Sequence, residues 1–156
     1  MGHKLRIKCL LFEGCDKVGK SSVIEAFHKL TNYEWYIIDR SLASIYVYGG
    51  FKDRNLDYSS LFSLDDEYSR LGRIIVYVTA DTEVIKKRFK KHNEKDILET
   101  DIDLIKSGFE IYLQQTSMKI IRLDTSYCTP EESAKELLEK LNEIGINGLT
   151  YKEASK

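Results

Sequence analysis

The chain has 156 residues, 42% hydrophobic and 31% charged, with a formal net charge of −1, the balance of one ordinary globular domain. That charge excludes a global field that would draw nucleic acid or a membrane surface, and no run approaches the roughly 18 apolar residues of a membrane span. Three cysteines, Cys9, Cys15 and Cys128, have no metal-type spacing and exclude a disulfide framework, so reduced thiols and a cytoplasmic location are expected.

Lys4 to Phe12 read as a buried strand, because apolar residues run almost without interruption, as in parallel sheets. The stretch LLFEGCDKVGKSS (Leu10 to Ser22) then sets Gly14, four residues, and Gly19-Lys20-Ser21, the spacing of a phosphate-binding loop between strand and helix. Gly14 and Gly19 permit backbone conformations that a Cβ resists, so successive N–H groups can turn toward an anion at the start of the helix. Lys20 offers a mobile charge to the outer phosphates, and the Ser21 hydroxyl is a candidate Mg²⁺ ligand. Cys15, within this loop, is either a reactive thiol or a small filler.

The following helix carries Val23, Ile24, Phe27 and Leu30 on one stripe. Trp35 to Ile38 form a second short strand closed by Asp39-Arg40. A right-handed βαβ unit points both strands the same way, which brings Asp39 and Arg40 beside the phosphate loop. Leu42 to Tyr48 fit either a helix or a strand, with the helix favoured because Gly49-Gly50 follows as a stop; Phe51 to Tyr58 read as a surface loop, and Ser60 to Leu71 as a helix ended by Gly72. Arg73 to Thr79 are the clearest strand, β-branched and aromatic. Asp81 or Thr82 can cap a helix reaching about His92, another helix spans about Asp101 to Gln115, and Lys119 to Leu123 form a strand. Thr129-Pro130-Glu131-Glu132 opens the last helix with a cap, a proline and acids in the first turn. The alternation predicts an α/β, three-layer fold with a mostly parallel sheet of four or five strands. It forms a single domain over 1–148, with a tail at 149–156.

FEGCDKVGKSS resembles the loop of thymidylate kinases and related nucleotide kinases, with Asp16 at that family's acidic position and Lys17 at its basic one. DRSLASIYVYGGFKDRNLD is similar to the family's second motif, matched at Asp39, Arg40, Ser44, Val47, Tyr48 and Gly50. YVTADTEVIKKRFKKHNEKD resembles the strand, helix and basic lid of these kinases. LDTSYCTPEES is similar to the turn near which they hold adenine. The resemblance covers Ile7 to about Ile144. It implies a P-loop kinase fold and transfer of the γ-phosphoryl of ATP, with Mg²⁺, to a (deoxy)nucleoside monophosphate. One departure stands out: about twenty residues separate Lys20 from Asp39, where thymidylate kinases carry a long insertion with an arginine and a base-stacking aromatic. Phosphate chemistry carries over, and thymine specificity does not.

The nucleotide-binding set expected is Gly14, Cys15, Asp16, Lys17, Val18, Gly19, Lys20, Ser21 and Ser22, with Ser22 either at the α-phosphate or simply in the first helical turn. Lys20, Asp39, Arg40, Lys17 and Arg88 are the expected catalytic residues. Asp39 either assists Mg²⁺ through water, as Ser21 does directly, or positions an acceptor hydroxyl. Arg40 offers a planar fork for phosphate. Asp16 either meets the acceptor sugar, as the resemblance implies, or makes a local turn bond. Asp16, Arg40, Ser44, Tyr48 and Arg54 are the expected acceptor contacts; Tyr46 and Phe51 are further candidates, each with packing as its plain alternative. The basic run Lys86 to Lys95 is either a solvated helix face or a lid over about 88–98, with Arg88 and Lys91 as its phosphate contacts. His3, His28 and His92 carry no assigned chemistry. A small nucleotide acceptor is the expected partner, nucleic acid is less favoured, no membrane is expected, and a homodimer is allowed. The alternatives are a kinase of a deoxynucleoside or of a hydroxyl on a modified base or polynucleotide, and a nucleotide-binding protein without turnover.

Overall fold

The computed structural model describes residues 8–91 and 99–145. Residues 4–7 of the first expected strand, 92–98 of the expected lid and the expected tail 149–156 lie outside the described residues. The elements run β1 (Cys9–Glu13), α1 (Lys20–Leu30), β2 (Tyr36–Asp39), α2 (Leu42–Phe51), α3 (Tyr58–Arg70), β3 (Ile74–Thr79), α4 (Thr82–Lys91), α5 (Glu99–Gln115), β4 (Lys119–Asp124) and α6 (Pro130–Glu143).

Among the described residues the sheet has four strands in the order β2-β1-β3-β4, and every pair is parallel. β1 is buried throughout, and β3 at every position but the last, which explains their unbroken apolar sequences. The edge strands differ: β2 is half-exposed and β4 alternates toward its end. α1 packs on α6 and α2 on α5, giving the layered helix–sheet–helix arrangement. Phe27, Phe109, Tyr112 and Leu137 are fully enclosed between these layers, each such side chain contributing about 1.5–3 kcal/mol by leaving water. The capping box at the start of α6 is complete. The Thr129 hydroxyl accepts from the Glu132 amide at 3.1 Å, and the Thr129 amide donates to the Glu132 carboxylate at 3.0 Å.

Two expected boundaries are corrected. Gly49-Gly50 do not stop α2, which continues to Phe51. Gly49 is instead a packing position, since a Cβ there would fall 2.4 Å from Leu56 Cδ1. The helix ends in a Schellman turn in which Asp53 takes the left-handed position at φ 52°. The amides of Asp53 and Arg54 donate to the carbonyls of Gly50 and Gly49 at 3.2 and 2.7 Å, satisfying carbonyls the helix end leaves open. The third helix starts at Tyr58 rather than Ser60, because Asp57 caps it, accepting from the Ser60 amide at 3.1 Å.

Candidate active site

In a parallel sheet of this order, the crevice beyond the carboxyl ends of β1 and β3 is where the strand order reverses, and it is a natural ligand site. The loop from Gly14 to Gly19 lies there. Gly14 (φ 150°) runs so close to β3 that a Cβ would sit 2.3 Å from the Val78 carbonyl oxygen. Lys17 (φ 63°) and Gly19 (φ 85°) are left-handed, the alternation that turns amides inward to form an anion nest. Gly19 is the N-cap of α1 and supplies no side-chain cap, so the positive end of that helix faces the loop.

Strand register does the rest. Phe12 of β1 pairs with Asp39 of β2, which sets the turn after β2 against the loop after β1. Lys20, 7% exposed, donates its ammonium to the half-exposed Asp39 carboxylate, and the Arg40 guanidinium donates to Asp16. Arg40 is left-handed at φ 69° and lies 5.2 Å over the Tyr48 ring, a cation–π contact. Burial pushes the Tyr48 hydroxyl up to about 12, so it stays neutral. Each carboxylate that the sequence singled out thus holds a cation from the other strand end. An anionic ligand would have to exchange with those carboxylates.

The cavity so formed holds about 700 Å³, with Lys20, Ser21, Ser22, Arg40, Arg88 and Thr125 among its lining residues. Lys17 and Lys91 also line it, as do Cys15, Asp16 and Gly19, so most of the expected residues meet in one place. Val18 is buried beneath, its carbonyl accepting the Thr125 hydroxyl. Ser21 and Asp39 bring one hydroxyl and one carboxylate, hard oxygen donors both exposed to solvent. That is the sparse protein share suited to Mg²⁺, which keeps waters and takes phosphate oxygens for its other positions.

Three expected site residues sit otherwise. Ser44 is buried and donates its hydroxyl to Glu13 at 2.8 Å, so it does not open to an acceptor. Arg54 is exposed in the loop after α2, away from the cavity lining, because its backbone closes the Schellman turn. Arg88 is fastened rather than free. Its Nη1 donates to the Lys17 carbonyl at 3.0 Å, and its Nη2 to the Thr125 carbonyl at 3.0 Å. Tyr46 belongs to a second, open concavity with Tyr58 and Phe62.

Two residues escaped sequence reasoning. Thr125, buried at the end of β4, ties the loop at Val18 to Arg88. Glu13, 1% exposed, is the one acid inside an otherwise apolar strand. That misfit in the pattern was the available signal.

The thiols give a direct probe of the cavity. Cys15 is buried, and burial, helped by the Asp16 charge, pushes its thiol up to about 12, leaving almost no thiolate at pH 8. Cys128 is exposed on the cavity wall. Iodoacetamide at pH 8 should therefore label Cys128 and spare Cys15, and MgATP should slow Cys128 labelling, as read by peptide mass spectrometry.

No family model matches the chain. An uncharacterised SPbeta prophage-derived protein of Bacillus subtilis (strain 168), YorR, is 31% identical over 124 residues, covering 78% of this chain and 74% of the relative. The crystal structure of YorR in complex with phosphorylated GDP is similar at a TM-score of 0.73 and 24% identity, over 87% of this chain and 98% of that one. Thymidylate kinase from Candida albicans gives 0.59 at 17% identity, over 93% and 95% of the two chains. Deoxyadenosine kinase from M. mycoides with bound dCTP gives 0.57 at 15%, over 86% and 99%. The fold is that of the thymidylate and deoxynucleotide kinase-like P-loop proteins.

Proposed function

The chain belongs to the family of the SPbeta prophage-derived YorR protein, and on that footing we propose a phosphotransferase moving the γ-phosphoryl of ATP to a (deoxy)nucleoside monophosphate. The observation that carries the reading is the meeting of Lys20 and Arg40, from two different strand ends, across one cavity beside a phosphate-type loop. The nucleotide held by YorR, phosphorylated GDP, supports a nucleotide occupant and adds guanine nucleotides to the donors worth testing.

Phosphoryl transfer asks for positioning and charge neutralisation more than for covalent work. In this reading the loop amides and Lys20 take the β- and γ-phosphates, and Lys20 gives up Asp39 to do so. Ser21 and Asp39 are the residues that would hold Mg²⁺, which when bound would supply charge neutralisation for the phosphates. Arg40 gives up Asp16 and presents two parallel N–H donors to the acceptor phosphate, and the freed Asp16 faces the acceptor sugar. Lys17 and Lys91 add positive charge at the rim. Arg88 acts from below, holding the loop through the Lys17 carbonyl.

A second acceptor class has its own support. Only about twenty residues lie between Lys20 and Asp39, which shortens the wall that would enclose an acceptor base, so a deoxynucleoside or a hydroxyl on a modified base or polynucleotide remains in the test. The experiment is an Mg²⁺ and ATP or GTP transfer assay across deoxynucleoside monophosphates, deoxynucleosides and DNA. Transfer to at least one monophosphate is expected. Transfer to DNA and to no monomer would replace the preferred acceptor, and binding without any transfer would make this a nucleotide-binding protein.

Arg40→Ala separates the two halves of the site. Loss of a charge-assisted pair costs about 1.5–3 kcal/mol, so the acceptor KM should rise by roughly 10- to 100-fold. The ATP KM should stay within about threefold, because the guanidinium holds the loop through the Asp16 side chain rather than a backbone amide. Steady-state kinetics in both substrates checks this, and equal rises in both constants would refute the division of labour.

A further inference from the structure

The roles assigned so far leave out the buried carboxylate of Glu13, at the last position of β1. One of its oxygens accepts from the Ser41 amide, and the other from the Ser44 hydroxyl at 2.8 Å. Ser41 is the N-cap of α2 but makes no side-chain cap of its own, and Ser44 lies in the first turn. Glu13 therefore caps a neighbouring helix from the strand, placing negative charge at that helix's positive end. Burial raises the Glu13 carboxyl above the usual range, while the Ser44 and Ser41 donors pull it down, with a smaller contribution from the Lys20 charge.

Between the two gripped elements stands Arg40. Its φ of 69° is left-handed, a conformation that a residue with a long side chain keeps only where its surroundings over-determine it. Here both neighbouring amides are tied down. The Arg40 amide donates to the Phe12 carbonyl at 2.9 Å, and the Ser41 amide to Glu13. Two adjacent β1 residues thereby fix two adjacent residues of the turn.

We propose that Glu13 is a positioning residue for the acceptor: by holding Ser41 and Ser44 it keeps the Arg40 backbone left-handed and aims the guanidinium at the acceptor phosphate. This rests on the acceptor role given to Arg40 above. Glu13 is not a catalytic residue, since its oxygens are engaged within the fold. Its action passes through the turn between β2 and α2.

Wild type, Glu13→Ala, Glu13→Gln and Ser44→Ala are compared by KM for the acceptor and for ATP, with calorimetric binding of MgATP and of dAMP, dCMP, dGMP and dTMP. Glu13→Ala removes both acceptors and should raise the acceptor KM by about tenfold or more, with ATP KM and kcat within roughly threefold. Glu13→Gln retains a carbonyl for the Ser41 amide, and the Ser44 hydroxyl can rotate to accept from the new amide. It should bring the acceptor KM back to within about threefold of wild type. Ser44→Ala leaves one buried carboxylate oxygen without its donor and should raise the acceptor KM by roughly five- to tenfold. An unchanged acceptor KM, or equal rises for both substrates, overturns the proposal. Should Glu13→Ala fail to fold, Ser44→Ala decides by the same split. Wild type that binds MgATP but none of the four monophosphates would instead overturn the acceptor reading, and the proposal with it, before any variant is needed.

Discussion

Lys20→Ala should cut phosphoryl transfer by at least ~100-fold, the effect of removing one preorganised charge-stabilising group, while the protein stays folded. The ammonium is nearly enclosed in the cavity beside the phosphate-type loop, with its nitrogen on Asp39, so it has only to exchange that carboxylate for phosphate oxygens. Asp39 is 47% exposed on its side chain, so after the substitution water can take over its oxygens. A partner this exposed makes the lost pair worth about 1 kcal/mol or less, and the melting temperature should fall by no more than about 4 °C. Single-turnover transfer alongside a thermal melt checks both halves. Transfer within a few-fold of wild type would remove Lys20 from the chemistry.

Gly14→Ala should damage both fold and function. Its Cβ would stand 2.3 Å from the Val78 carbonyl oxygen, which cannot swing aside because it belongs to the backbone of β3, in the middle of the sheet. The separation is about 1 Å short of van der Waals contact, so the loop must move outward, and alanine also resists the φ of 150°. Strain plus overpacking should cost about 3 kcal/mol, lowering the melting temperature by roughly 8 °C. The displaced amides should weaken MgATP binding by at least ~10-fold, since anion nests depend on their direction. Differential scanning fluorimetry with and without MgATP measures the two effects together. A variant that melts and binds like wild type would mean the loop does not need its close approach to β3.

Parts of the site were legible because local chemistry writes them into adjacent residues. The glycine spacing before Lys20, the apolar run ahead of it and the Asp39-Arg40 pair after a short strand all declare backbone geometry or burial over a few positions. The end of α2 is not legible in the sequence because a glycine pair has two meanings, a helix stop or a close packing surface. Leu56, which decides between them at Gly49, comes only after the helix. Ser44 is a candidate by motif position and Arg54 by its charge, whereas the Ser44 hydroxyl goes to a strand carboxylate and the Arg54 amide to a helix carbonyl. Glu13 lies 31 positions from Ser44, so nothing in the local sequence of Ser44 names that partner.

The sequence by itself determined the order of strands and helices, the identity of the phosphate-type loop and which strand end would face it, because periodicity and glycine spacing act through the local backbone. Tertiary structure alone decided the crossed pairing of Lys20 with Asp39 and Arg40 with Asp16, the fastening of Arg88 under the loop, and the grip of Glu13 on the turn that carries Arg40. Those contacts follow from strand register and layer packing. They join residues 19 to 71 positions apart, and interactions over such separations exist only once the sheet has brought them within a few ångströms.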